Sequence, residues 1–378
     1  MSLFGKVRTA ERCPTFEINL DEDDITVRYA ELYNCFKRQF GAAVRYLHKF
    51  LDEAGSLAGI LQSTVATLLK CSTHAVYIHE MHTLSEMAGI SFNDMIALNS
   101  LYELCAACST FVDHVYDDKG VPRPVMGRNM DWDASFLSKM SVHMKMFRGG
   151  KLLYEHVTFA GYLGVLTACK PGSYAVAVNF RLEANLDTTA SVCYAIGKSL
   201  VMTGTGFTVG FLVRSMLEGQ HGVGANTYEE ACAVLSKAPL IAPCYFTICG
   251  AATNEGCVLT RRRTGLALPA RHMMASGHRA HQPLLYQANI DDTWEDPIET
   301  CTSAQKLAAL PDVMDSLSRI RKARKEYAKR DALSLRDFAQ MCNTFPIRNE
   351  VTIYMTVMDP GDKICPIHAA RITRVRKS

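Results

Sequence analysis

The amino-acid sequence predicts an α+β protein in which helices and strands form separate layers. Two observations support this fold class. Apolar residues recur at helical spacing in the first hundred residues, whereas the chain from Cys108 onward contains short β-rich runs bounded by Gly, Pro, Asn and Asp. Helical stretches then interrupt the strands at about Val209–Lys237 and Ser303–Asn343. Helices and strands that come in blocks, without strict alternation, favour packed layers over repeated βαβ units.

Two helices are predicted in the N-terminal part. Around Leu57–Leu69 the apolar residues form one stripe, which favours a helix packed on the core. Peripheral contact of that stripe with a membrane is the alternative. The second helix begins at Ser91 or Asn93, either of which can cap it, and it is expected to run up to Cys108.

Strands and two helical blocks are predicted after Cys108. Thr227, followed by acidic residues in the first turn, is a candidate N-cap in the first block. The segment Ser318–Arg330 in the second block is rich in Lys and Arg, so we expect a solvated helix face, with attraction to acidic lipid headgroups as the alternative. The strand runs are STFVDHVYD, VMGRNMDW, LLYEHVTF, YAVAVNF, YFTICGA, GCVLTRR and EVTIYMTVMD.

Composition limits the classes of function. The chain has 378 residues, of which 48% are hydrophobic and 21% charged, and a formal net charge of +3. That charge is too small to indicate nucleic-acid binding. No apolar stretch reaches the roughly 18 residues that a membrane-spanning helix needs. Since neither an Asn-x-Ser/Thr sequon nor a signal-like apolar stretch near Met1 is present, we expect a cytoplasmic protein with free thiols.

The stretch LCAACST contains one Cys-x-x-Cys pair, Cys105 and Cys108. A zinc site would need a second pair of ligands with similar spacing, and the sequence has no other Cys-x-x-Cys. A thioredoxin-like pair would follow a strand and open a helix, whereas this pair closes a predicted helix and precedes a strand. A third interpretation remains, in which one cysteine is a nucleophile and the other an ordinary core residue.

A nucleophilic thiol needs a base, because cysteine has a reference pKa of about 8.5. His114 lies on the following predicted strand, but no pattern links it to Cys108. Cleavage of the chain before Cys108 would supply a base on the same residue, since a free α-amino group has a reference pKa of roughly 7.7–8.0. N-terminal nucleophile hydrolases use this arrangement.

Two further motifs do not support metal or cofactor binding. In IHEMH the histidines His79 and His82 are three residues apart, whereas zinc ligands on one helix face need a spacing of four. In GTGFTVG, at Gly204–Gly210, the third glycine is displaced by Val209 and an acidic ribose partner is missing. We therefore expect no metal and no cofactor.

Six ordered blocks of sequence carry a family resemblance, and they are YELCAACST, GRNMDWD, FAGYLGVLTACKPG, TYEEACAVLSKAPLIAPCYFTICG, EGCVLTRRR and QAN. Together they resemble the acid ceramidase and N-acylethanolamine acid amidase family of cysteine N-terminal nucleophile hydrolases, which is related to the choloylglycine hydrolases. The resemblance extends from Cys13 to Asp359. It implies an αββα sandwich made as a proenzyme, with an α-chain of residues 1–107 and a β-chain of 108–378. Known members of the family are lysosomal.

The resemblance also implies roles for individual residues. Cys108 matches the nucleophile, and Arg128 and Asp131 match the pair that orients the α-amino group and modulates the thiol. Because residues three apart on a straight strand face opposite sides, we expect a bend that aims both into the site. Asn289 matches the side-chain donor of the oxyanion hole, and Asn179 matches an asparagine of a second site loop.

One departure from the family pattern concerns an arginine that follows the matched asparagine. Here Cys301, Thr302 and Ser303 stand in that region. Without the arginine, stabilisation of the thiolate would fall chiefly to Arg128, whose charge is permanent. We therefore expect any activity to peak nearer neutral pH than in the lysosomal relatives.

The resemblance implies an amidase that hydrolyses a fatty-acyl amide of the ceramide or N-acylethanolamine type through Cys108. The expected partner is that lipid substrate, and no nucleic acid is expected. Two alternatives remain open. One is an N-terminal nucleophile hydrolase or acyltransferase that acts on another amide, and the other is a non-catalytic relative that binds lipid.

Overall fold

The structure is a computed structural model and describes residues 10–53, 75–100, 107–132, 134–181, 206–273, 284–291, 310–329, 332–364 and 366–372. The strands are β1 (Ala10–Glu11), β2 (Thr15–Asn19), β3 (Ala107–Tyr116), β4 (Pro122–Asp131), β5 (Ser141–Arg148), β6 (Lys151–Phe159), β7 (Thr167–Lys170), β8 (Tyr174–Phe180), β9 (Cys244–Gly250), β10 (Gly256–Arg262), β11 (Gly265–Leu266), β12 (Arg271–His272), β13 (Leu285–Gln287), β14 (Thr352–Met358) and β15 (Ile367–Ile372). The helices are α1 (Ile25–Arg28), α2 (Ala30–Glu53), α3 (Ala75–Ala88), α4 (Phe92–Ser100), α5 (Val209–Glu218), α6 (Tyr228–Lys237), α7 (Leu310–Tyr327) and α8 (Leu335–Cys342).

Two sheets lie face to face between layers of helices. Sheet I has the strand order β1-β15-β14-β4-β3-β13, and sheet II has the order β11-β10-β9-β8-β7-β6-β5-β2, with β12 paired to β10. The outer face of sheet I packs on α7 and α8 through a cluster that includes Phe111, Ile320 and Phe338. Helices α2, α3, α5 and α6 cover sheet II. The predicted αββα arrangement is confirmed.

The first hairpin of sheet I places the candidate nucleophile. Asp117 shapes the turn, because its carboxylate accepts hydrogen bonds from the backbone N–H groups of Lys119 and Val121. Gly120 has a φ of 75°, a conformation that glycine adopts without steric cost. From this turn β3 and β4 pair without interruption back to Ala107 and Asp131, so the register of the site residues is fixed by the hairpin.

Three boundaries differ from the sequence prediction. The helix expected to reach Cys108 ends in the described chain at Ser100, and strand β3 already includes Ala107. The block Val209–Lys237 is two helices, because Gly219 ends α5 in the left-handed conformation. The second block likewise contains two helices, α7 and α8.

The caps predicted from sequence are present where they can be observed. Ser91 accepts a hydrogen bond from the backbone N–H of Asp94, and Thr227 forms a capping box with Glu230. Within the described residues, no helix has the length and apolar composition needed to cross a membrane. The predicted segments at Leu57–Leu69, Cys105 and Cys301–Ser303 lie outside the described residues.

Candidate active site

Strand pairing divides the site into two faces. Cys108, the second residue of β3, is fully buried and lies opposite Met130 of β4, while Thr110 lies opposite Arg128. Directly opposed residues of an antiparallel pair share a face, so these four side chains project together. Asn179 of sheet II contacts two of them, which places this face inside the sandwich.

The Cys108 thiol lies against a guanidinium group. Arg128 Nη2 is 2.9 Å from Cys108 Sγ, and Arg128 Nη1 donates to Asn179 Oδ1 at 2.6 Å and to Thr110 Oγ1 at 3.1 Å. Arg128 is fully buried. A permanent positive charge in contact with the sulfur favours the thiolate, which is the nucleophilic form of cysteine.

Asn179 holds both Arg128 and the segment that carries Asn289. The Asn179 Oδ1 atom accepts hydrogen bonds from Arg128 and Thr110. Its Nδ2 atom donates to the backbone carbonyls of Gln287 at 3.0 Å and Ala288 at 3.1 Å. In this arrangement Asn179 positions other groups, because these hydrogen bonds use both ends of its amide.

Asn289 lies at the N-terminal side of Cys108. Its Oδ1 atom accepts a hydrogen bond from the Cys108 backbone N–H at 2.7 Å, and its Nδ2 atom donates to the carbonyl of Phe180 at 2.9 Å. The side chain therefore presents an acceptor to the nitrogen that cleavage would convert into the α-amino group. The oxyanion-donor role expected from the resemblance stays a prediction, since it requires the Nδ2 atom that here binds Phe180.

Asp131 lies on the opposite face of β4 from Arg128, so the bend expected from the sequence is wrong. Because β3 and β4 pair regularly as far as Asp131, the alternation of side chains is retained. Asp131 accepts a hydrogen bond from Thr352 Oγ1 at 2.6 Å and lies 3.7 Å from Arg319 Nη1. Asp131 thus reaches Cys108 through a second arginine, from behind the strand.

Arg319 supplies that second positive charge. Its Nη1 atom donates to the backbone carbonyl of Cys108 at 2.5 Å and to Ser109 Oγ at 2.8 Å, and its Nη2 atom donates to Asn289 Oδ1 at 3.2 Å. Its Nε atom lies 2.8 Å from Asp315 Oδ2. The segment Ser318–Arg330 has the predicted solvated face, with Arg321 and Lys325 exposed, but it also buries Arg319, which the sequence analysis did not anticipate.

The two arginines change the expected electrostatics of the site. The sequence analysis expected Arg128 to be the main positive charge near Cys108. In the structure Arg319, from helix α7, also contacts Cys108. Burial raises the pKa of Asp131 to about 6, although Arg319 and the Thr352 hydroxyl favour the carboxylate. Asp131 consequently changes charge in the range between lysosomal and cytosolic pH.

An ion pair fixes the segment that follows Asn289. Arg181 donates from Nε and Nη2 to the two carboxylate oxygens of Asp291, at 2.8 and 2.7 Å. Tyr245 OH donates to the same carboxylate at 2.6 Å. Two parallel N–H···O bonds define an orientation better than one, so the end of β8 is tied to the Asn289 segment.

One residue of the IHEMH motif in α3 has a structural role. His79 and His82 flank Glu80, which is buried and pairs with Arg214 of α5 at 2.8 Å. His82 is half-exposed and lies 3.7 Å from Glu86. Among the described residues, no group of three or more potential metal ligands occurs.

Comparisons with known proteins identify relatives of the chain. No family model matches the chain. It is 28% identical over 295 residues to N-acylethanolamine-hydrolyzing acid amidase of Caenorhabditis elegans, a match that covers 75% of this chain and 72% of that protein. It is 28% identical over 294 residues to human acid ceramidase, covering 74% of this chain and 66% of that protein.

A solved structure of one of these relatives also matches the chain. The C. elegans N-acylethanolamine-hydrolyzing acid amidase ortholog superposes with a TM-score of 0.50 and 25% identity, covering 68% of this chain and 93% of the other. The chain is a relative of acid ceramidase and N-acylethanolamine-hydrolyzing acid amidase. The resemblance inferred from the six sequence blocks is confirmed, as is the prediction of an amide hydrolase with this fold.

Two residues of this acid ceramidase relative escaped the sequence reasoning. Thr352 was assigned to a strand and not to the site, and nothing local distinguishes it from other strand threonines. Arg319 did carry a signal, because it lies among Leu317, Ile320 and Ala323, which recur at helical spacing on one face. A charged residue inside an apolar stripe is a candidate for burial with a specific partner.

Proposed function

We propose that this chain hydrolyses the amide bond of a fatty-acyl amide, of the ceramide or N-acylethanolamine type, after cleavage of its own Ala107–Cys108 bond. One observation carries the proposal. The buried Cys108 thiol lies 2.9 Å from Arg128 Nη2, and its backbone N–H donates to Asn289 Oδ1. The thiol, a positive charge and the nitrogen that would become the amino group thus lie together at Cys108. The amidase relatives support an amide as the bond of the substrate that is hydrolysed.

Self-cleavage would begin with attack of Cys108 Sγ on the carbonyl carbon of Ala107. The C–N bond of the peptide breaks, a thioester forms, and the nitrogen of Cys108 becomes the α-amino group. Water then hydrolyses the thioester and frees the thiol. Asn289 Oδ1 and the Arg319 guanidinium hold the N–H and the carbonyl of Cys108, and so fix the residue on the C-terminal side of the reacting bond.

Substrate hydrolysis would use the same sulfur. The α-amino group accepts the thiol proton, Arg128 stabilises the thiolate, and the sulfur attacks the amide carbonyl of the lipid. The amine leaves with that proton, and water releases the fatty acid from the thioester. Removal of one hydrogen-bond donor to the oxyanion costs about 2.7–4 kcal/mol in such reactions.

A small apolar cavity of about 30 Å³ lies beside the strand end. Trp132 directly follows Asp131 and lines this cavity together with Phe136, Met140 and residues of α2 and α4. Aromatic and aliphatic walls with few polar groups are typical of sites that bind hydrophobic ligands. The cavity is too small for an acyl chain as it stands, so a lipid substrate that bound here would have to widen it.

Intact-mass spectrometry combined with turnover of labelled N-acyl amides tests the proposal. The wild-type protein should give two fragments that meet at Ala107–Cys108 and should release fatty acid. Cys108→Ala should remain one chain and be inactive. Cys105→Ala and Cys169→Ala, the latter removing a buried thiol of β7, serve as controls and should be cleaved and active. Cleavage or turnover by Cys108→Ala would overturn the proposal.

A further inference from the structure

A second pair of cysteines lies outside the site described above. Cys232 is on α6, and Cys257 is on β10 of sheet II. Their sulfur atoms are 3.4 Å apart, which is hydrogen-bond contact between thiols. Helix α6 packs on β10, so the two residues come from neighbouring elements of one layer and sheet.

The pair combines one sulfur that solvent reaches with one that is buried, whereas the exposed Cys35 is not described in contact with another cysteine. Cys257 is buried, but Cys232 is partly exposed, so a small reagent can reach one sulfur of the pair. Hydrogen bonds from Cys232 and Tyr228 to its sulfur lower the pKa of Cys257, in spite of its burial, and the same contact raises the pKa of Cys232. A sulfur that is stabilised as a thiolate is a good attacking group in thiol–disulfide exchange.

We propose that Cys232 and Cys257 form a redox-sensitive thiol pair that a small disulfide such as glutathione disulfide closes into a Cys232–Cys257 bond. A disulfide has an S–S length of about 2.05 Å, so the sulfur atoms need to approach by about 1.4 Å. Rotation of two small side chains at the edge of a helix can supply such a movement. The proposal is independent of Cys108 and of the proposed amidase function.

The exchange takes place in two balanced steps. First, Cys232, the sulfur of the pair that solvent can reach, gives its proton to solvent and attacks one sulfur of glutathione disulfide. A Cys232–glutathione bond forms, and one glutathione leaves as the thiolate and takes up a proton. Second, the Cys257 thiolate attacks Cys232 Sγ, the protein disulfide forms, and a second glutathione leaves. Two protein thiols are oxidised, and one glutathione disulfide is reduced to two glutathione molecules.

The closed bond should stiffen sheet II at its outer helix. The bond would join α6 to β10, with the two cysteines 25 residues apart in the sequence. A cross-link of that length restricts the unfolded chain, and we expect Tm to rise by roughly 5 °C on oxidation. This rise is reversible with a reducing agent.

Peptide mapping of the full-length protein before and after glutathione disulfide treatment tests the pair. The wild type should lose two titratable thiols, gain a Cys232–Cys257 cross-linked peptide and show the higher Tm. Cys257→Ala should stop at the glutathione adduct on Cys232, and Cys232→Ala should form neither the adduct at this site nor the cross-link. Cys249→Ala, which removes a fully buried thiol from the neighbouring strand, should behave as the wild type does.

Repeating the treatment in Cys108→Ala separates the two proposals, since the pair should still close when the candidate nucleophile is absent. A cross-link between other cysteines, a stable adduct on wild-type Cys232, or an equal Tm rise in Cys232→Ala would each overturn the assignment.

Discussion

Asp131 is the residue through which pH should act on the site. Burial raises its pKa to about 6, and anionic Asp131 attracts Arg319, which contacts the Cys108 carbonyl. We expect kcat/KM of the processed protein to rise as the pH increases through about 6. Asp131→Asn should fold, lose most turnover and lose this pH dependence. A wild-type profile that is flat across pH 6, measured on the processed protein, would contradict this assignment.

The same pKa shift predicts an opposite effect on stability. The folded-state pKa of Asp131 lies above its reference value of 3.8, so folding favours the neutral carboxyl. This contribution is complete below the reference value and is lost as the pH rises through about 6. It amounts to at most about 3 kcal/mol. Thermal unfolding should therefore show the wild type losing stability relative to Asp131→Asn across that interval, and parallel curves would contradict the shift.

Arg319 should affect processing through its hydrogen bond to the Cys108 carbonyl. Arg319→Met removes that donor and also removes the group through which Asp131 acts on Cys108, so cleavage should be slower and the rise in activity near pH 6 should be lost. Arg319→Lys retains the charge without the paired donors and should restore part of the wild-type profile. Arg321→Met, at an exposed position of the same helix, is the matched control. Equal effects of the two methionine substitutions would contradict a role at the site.

At the level of single residues, the sequence named most members of the candidate site but not where each side chain points. Cys108, Arg128 and Asn289 lie within one hydrogen-bonded group, as the family resemblance implied. Sequence spacing could not show which face Asp131 occupies, because that depends on the regular pairing of β4 with β3. Nor could it show which groups pair with the Asp131 carboxylate, since Arg319 and Thr352 are distant in sequence and contact it only in the folded chain.

At the level of elements, the contact between β4 and α8 should determine how firmly the site hairpin is held. Gly127 faces α8 so closely that an added Cβ atom would collide with Cys342 Sγ and lie 2.9 Å from Phe338 Cε1. Gly127→Ala should therefore destabilise the protein by about 1–3 kcal/mol in denaturant unfolding. Gly41→Ala, where the added atom meets only Arg45 Nη1 at 3.5 Å on α2, should instead stabilise by roughly 0.5–1 kcal/mol. Equal stability of Gly127→Ala and wild type would contradict the close packing.

Helix α7 illustrates why element boundaries and faces were only partly predictable. Its basic composition correctly indicates solvent on one side, where Arg321 and Lys325 are exposed. Its other side packs Ile320 and Ala323 against sheet I and buries Arg319 between them and the strand. Composition averages the two sides, whereas the 3.6-residue period separates them. Considering each face of the helix separately, and not the net charge of the whole segment, would have identified Arg319 as a candidate for burial.

At the level of the whole molecule, the two chains that cleavage would produce share a buried ion-pair network. Glu80 of α3 belongs to the proposed α-chain and pairs with Arg214 at 2.8 Å, while Arg214 also contacts Glu218 at 2.9 Å within the proposed β-chain. Tyr77 packs under the Arg214 guanidinium at 4.5 Å. All of these side chains are almost completely buried. After cleavage, non-covalent contacts of this kind would have to keep residues 1–107 on the sandwich.

Truncation of Glu80 should therefore weaken the cleaved protein more than the intact one. Glu80→Ala leaves the Arg214 charge with one carboxylate partner fewer in a buried position, which typically costs about 3–5 kcal/mol. In the single-chain Cys108→Ala background this should lower Tm without making it depend on concentration. In the processed protein the chains can separate, so Tm of Glu80→Ala should fall further and should rise with protein concentration. Glu86→Gln, an exposed position on the same helix, is the control. An equal, concentration-independent loss in both backgrounds would show that the network stabilises the fold without holding the two chains together.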